Sequence, residues 1–98
     1  MKRVYDPRRD GDPEAGEVIR RRRRRLGWSI ERAAAVAGCS TGMWSDLENA
    51  KRRPSVVMAE LVADALGLDG ADLDTVLAAG LEGVGRDSPY KRRRAMRW

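Results

Sequence analysis

The chain has 98 residues, 36% of them charged, with 20 Lys and Arg against 15 Asp and Glu. A length of this order supports one small core, and the cation excess, 17 of the 20 being Arg, points to a polyanionic partner. With no His and a single Cys, Cys39, the sequence excludes a His-based triad, a His-containing zinc finger and an intrachain disulfide.

Residues 1–12 mix Pro, Gly, Asp and Arg with little apolar content, and 81–98 hold Gly, Pro and the basic run 91–94. Both are expected to be flexible arms around one domain at 13–80. The first helix starts with Asp12 as N-cap and Pro13 at N1, and runs through Val18, Ile19 and Leu26 to a stop at Gly27. Its six consecutive arginines, Arg20 to Arg25, advance about 100° each and wrap the whole circumference. At least one must therefore face inward, and a buried guanidinium needs a partner.

Trp28 before Ser29 reads as a hydrophobic residue ahead of an N-cap, opening an Ala-rich helix at 30–37 that stops at Gly38. Ser40 caps a third helix, 41–49, with Trp44 and Leu47 on one face and Thr41, Ser45, Asp46 and Asn49 on the other. A fourth begins at Ser55, with Val56, Ala59, Val62, Ala63 and Leu66 as its apolar stripe before Gly67. A fifth covers about 71–79 and offers Leu73, Val76 and Leu77. No segment alternates with a period of two, so the expected fold class is all-α with five short helices. Trp28 and Trp44 are expected in the core, and Cys39, with no base or second thiol nearby, as a small buried turn residue.

The charge is unevenly placed. Residues 17–38 hold seven cations against two acids, 55–80 hold five acids and no cation, and 81–98 hold six cations against two acids. Such a chain orients its basic side toward a polyanion. No uncharged apolar run approaches membrane-spanning length and the first fourteen residues contain no apolar signal region, so neither membrane association nor export is expected.

Two short helices joined by Gly38-Cys39-Ser40, with the small Ala34 ahead of the turn, have helix-turn-helix spacing. Together with G-E-V-I at 16–19, G-W-S at 27–29, A-x-x-A-G-x-S at 34–40, W-S-D-L-E-N-A-K-R-R-P-S at 44–55 and A-D-A-L-G-L at 63–68, the chain resembles the phage-repressor and Cro-like (Xre-type) helix-turn-helix family over about 16–77. The resemblance implies a phage-repressor-like DNA-binding domain of bacterial type, with 41–49 as recognition helix in the major groove and 30–37 crossing above it. It places Thr41, Gly42, Ser45 and Asp46 toward base edges, and Ser40, Asn49, Lys51, Arg52 and Arg53 toward phosphates. It also pairs Arg23 with Glu48 as a buried structural ion pair.

Departures from the family pattern are specific. Ile30 stands where Gln is common, Ala50 replaces the Gly that ends the recognition helix, and Arg22 takes the place of a core Leu that Leu26 is expected to replace. Gly42 has no side chain to read with, and Asp46 places an acid where cations are frequent; Asp46 can accept from a cytosine amino group. The resulting expectation is a DNA-binding transcriptional regulator, a repressor, located in the cytoplasm with the nucleoid. It would bind double-stranded DNA as a homodimer joined through Leu73, Leu77 and Leu81. The competing expectation is a protein-interaction module, antitoxin-like or adaptor, whose partner meets Met43, Asp46 and the basic C-terminal tail. No nucleophile adjoins a base and no metal-ligand spacing occurs, so no enzyme activity, metal or cofactor is expected.

Overall fold

The computed structural model describes residues 11–81. They form five helices: α1 Pro13–Arg25, α2 Ile30–Ala37, α3 Thr41–Glu48, α4 Val56–Leu66 and α5 Gly70–Leu81, with no strand among the described residues. This is the expected all-α architecture. The arm before Gly11 and the basic tail beyond Leu81 lie outside the described residues.

Helix starts follow from side-chain capping. Asp12 Oδ1 accepts from the backbone N–H of Glu14 and Ala15 at 3.0 and 3.1 Å, and the hydroxyls of Ser29, Ser40 and Ser55 accept from Arg32, Met43 and Met58 at 3.0–3.1 Å. Each bond satisfies a donor that has no partner within its own helix. Helices α2 and α4 end on Gly38 and Gly67, both left-handed, at φ 82° and 63°.

The fifth helix runs two residues past the expected end at Ala79. Gly80 lies inside the helix as a packing glycine, since a Cβ there would lie 2.9 Å from Ala59 Cβ and 3.1 Å from Ser55 O. It lets α5 close on α4.

Ile19, Trp44, Val62, Leu66 and Val76 are the largest fully buried side chains, drawn from α1, α3, α4 and α5. Helix α2 contributes Ala33, Ala34 and Ala37, whose small size lets it sit close on both α3 and α4. Trp28 is half-buried and packs against this core.

Two sequence expectations fail here. Leu77 is buried and Leu73 packs against the core, so they belong to the interior instead of forming a free apolar face with Leu81. Leu26 is exposed and does not replace the missing core leucine. Arg22 answers for itself, because its Nε donates to Leu66 O at 2.9 Å, at the end of α4 where carbonyls lack helical partners.

Candidate nucleic-acid interface

The contact that holds α3 in place begins at Gly16. A Cβ there would lie 2.6 Å from Glu48 O and 2.8 Å from Leu47 O, so only glycine permits α1 to approach the end of α3 this closely. One and two turns further along α1, Arg20 and Arg23 meet Glu48. Arg23 Nε donates to Glu48 Oε2 at 2.5 Å and its Nη2 to Oε1 at 3.1 Å, while Nη1 donates to Trp28 O at 2.8 Å. Trp44 Nε1 donates to Glu48 Oε2 at 2.6 Å, and Arg20 Nε lies 3.5 Å from Oε1.

The Glu48 side chain is 2% exposed. Burial alone would push its carboxyl up; the hydrogen bonds from Arg23 and Trp44, the charge of Arg23 and the bond from Arg20 together outweigh that and hold it below the ordinary carboxylate range. Arg23 is held above its own ordinary value by the hydrogen bond to Glu48, against the opposing effect of burial. Glu48 is therefore an ionised hub on the inner side of α3.

The arginine run is largely spent inside the domain. Arg20 and Arg23 tie α1 to α3, Arg22 reaches the end of α4, and Arg21 Nη2 lies 3.3 Å from Asp72 Oδ1 on α5. Because successive residues point about 100° apart, one run can address three helices. Arg24 and Arg25 are exposed.

The turn between α2 and α3 is built on Gly38. Gly38 and Cys39 both donate to Ala34 O at 2.9 Å, over the buried Cβ of Ala34. Ser40 then starts α3, which rests on the core through Trp44 and Leu47. Its outward arc carries Thr41, Gly42, Ser45, Asp46 and Asn49, spanning about 140° at 100° per residue. The helix-turn-helix domain family matches the chain over residues 14–76. The chain belongs to that family. Among curated proteins and among solved structures, none matches.

On this helix-turn-helix domain the expected site residues fall into three groups. Thr41 and Gly42 are exposed, and Ser45 and Asp46 half-exposed, along the outer arc of α3. Ser40 caps α3 with one lone pair and keeps its hydroxyl proton for another acceptor. Asn49, expected on a phosphate, is engaged within the domain: Oδ1 accepts from Arg20 Nη2 at 2.6 Å, and Nδ2 donates to Ser45 O at 2.9 Å and to Ser45 Oγ at 3.2 Å.

The loop cations divide. Lys51 and Arg52 are exposed, with Arg52 Nη1 at 3.7 Å from Met43 Sδ. Arg53, expected toward a phosphate, turns inward, 10% exposed and 3.5 Å from Asp12 Oδ2. The cause lies in the chain path, because Gly11 N donates to Ala50 O at 3.1 Å and brings Asp12 alongside the loop. Ala50 itself holds φ 58°, the left-handed conformation expected of the glycine it replaces.

Arg20 is the site residue that sequence reasoning did not single out. Its signal was available in the spacing to Arg23, since residues three apart on a helix share a face. Arg32 lies 5.7 Å from the centroid of Trp28 at the start of α2, a cation over a ring face. Cys39 is half-buried, and burial pushes its thiol up, away from nucleophilic use. Among the described residues, no three His, Cys, Asp or Glu are grouped to hold a metal, and no helix is long and apolar enough to cross a membrane.

Proposed function

We propose that the chain is a transcriptional repressor of the phage-repressor and Cro-like type, a cytoplasmic, nucleoid-associated homodimer that lays α3 in the major groove of double-stranded DNA. The observation that carries this reading is the outer arc of α3, clamped from behind by the Glu48 network and flanked by exposed Lys51 and Arg52. Thr41, Gly42, Ser45 and Asp46 face base edges, and Ser40, Lys51 and Arg52 meet phosphates. Two subunits would read half-sites about one helical turn apart. Leu73 and Leu77 face the core, so self-association runs through other residues.

A second reading has its own support. Asp46 puts an acid on the outer arc, and Asn49 is already engaged by Arg20 and Ser45, which suits a protein-interaction module that meets its partner through Met43 and Asp46.

Retention of duplex genomic fragments by the full chain, measured across a salt series, separates the two. The repressor reading expects retention that falls steeply with salt and an enriched common sequence. A stoichiometric protein partner with no duplex retention at low salt would transfer the assignment to the interaction module.

A further inference from the structure

Arg20, Asn49 and Ser45 form a chain of hydrogen bonds that runs from α1 to the outer arc of α3. Its direction is fixed by chemistry. A guanidinium only donates, so the Asn49 side chain must turn Oδ1 toward Arg20, at 2.6 Å. The amide nitrogen is thereby sent to Ser45, where it donates to the carbonyl at 2.9 Å and to Oγ at 3.2 Å. Ser45 Oγ then has a lone pair occupied, while no acceptor among the described residues takes its proton.

We propose that Arg20 and Asn49 set the polarity of Ser45, so that Ser45 offers duplex DNA a proton and selects a base edge bearing an acceptor. In the major groove that means guanine N7 or O6, adenine N7 or thymine O4, and it disfavours cytosine, whose amino donor could bond only to the remaining lone pair of Ser45 Oγ and would leave the hydroxyl proton without a partner. Arg20 and Asn49 are positioning residues that touch no base. The inference rests on α3 being the helix that meets DNA, and it explains why a serine, otherwise able to bond to any base, can discriminate here. It also removes Asn49 from the phosphate contacts, since both ends of its amide are occupied inside the domain.

Selection from a duplex library with a randomised centre, using the full chain, tests the polarity directly. Wild type should favour guanine, adenine or thymine over cytosine at one position, by about three- to ten-fold for a single hydrogen bond, and Ser45→Ala should lose that preference alone. In Asn49→Asp the carboxylate keeps its attraction to Arg20 but has no N–H. The Ser45 proton then turns inward and the preference should invert toward cytosine. Arg20 variants provide a second route: Arg20→Lys still only donates and should retain the preference, whereas Arg20→Gln releases one of the two groups that fix the Asn49 amide, the Ser45 carbonyl being the other, and should weaken the preference without inverting it. An identical preference in wild type, Asn49→Asp and Arg20→Gln would overturn the polarity relay while leaving DNA reading by α3 intact. Absence of any selected sequence and of salt-sensitive duplex retention in wild type would overturn the reading of α3 and the relay with it.

Discussion

Arg23 Nε and Glu48 Oε2 lie 2.5 Å apart across the contact between α1 and α3, with the two side chains 12% and 2% exposed. A pair so withdrawn from water is costly to break from one side, because the remaining charge keeps its burial and loses its partner, at about 3–5 kcal/mol. The two sides are not equivalent. Arg20 stands near the same carboxylate, so Arg23→Ala leaves Glu48 a second cation, whereas Glu48→Ala leaves both arginines without it. Glu48→Ala should therefore lower the midpoint of denaturant unfolding more than Arg23→Ala. The double variant should show a coupling energy of about 1–3 kcal/mol. Additive effects would mean that the pair does not hold the two helices together.

Acid should act on the same pair. The Glu48 carboxyl is held below its ordinary value in the folded chain, so its stabilising contribution is present above the unfolded carboxylate pKa of about 4.3 and is lost as pH falls through the lowered folded value. Thermal melts between pH 7 and pH 2 should show a drop in Tm below about pH 4 that is smaller in Glu48→Gln, which carries no titrating group. Parallel Tm curves for the two proteins would contradict the assignment of that acid lability to Glu48.

Two small residues beside α3 should respond with opposite signs. Gly16→Ala drives a Cβ into the carbonyls of Glu48 and Leu47, which are backbone and cannot swing aside, and should cost more than 1 kcal/mol. Ala50→Gly relieves a left-handed alanine at φ 58° and should gain about 0.5–1 kcal/mol. Chemical denaturation of both variants checks the pair, and a destabilising Ala50→Gly would show that no strain resides at that turn.

Local signals were legible in the sequence where one residue settles the geometry. Asp12, Ser29, Ser40 and Ser55 start helices because a short polar side chain satisfies the first free N–H groups, and Gly38 and Gly67 end them because they accept positive φ. Need for an inward arginine followed from six of them on one helix, but the number of inward contacts did not, since that depends on which helices surround α1. Gly80, just past the expected end of α5, is a contact inside it, and position alone did not show this, because a glycine that lets a chain turn and one that lets helices touch are identical in sequence. Arg53 could not be told from Lys51 and Arg52 by position in the loop; its inward turn depends on Gly11 bringing Asp12 beside Ala50. The polarity of Ser45 was hidden for a similar reason, since it is transmitted from Arg20 on another helix.

If α3 lies in the major groove with the loop after it on the phosphates, the salt dependence of duplex binding must carry the signature of Lys51 and Arg52. Each lost phosphate contact removes nearly one unit from the slope of log K against log salt. Lys51→Ala with Arg52→Ala should therefore reduce the magnitude of the slope by close to two and weaken binding to all sequences alike. Arg53→Ala, which loses its pairing with Asp12, should lower stability and leave the slope nearly unchanged. A slope in the Lys51 and Arg52 double variant equal to that of wild type would contradict that placement.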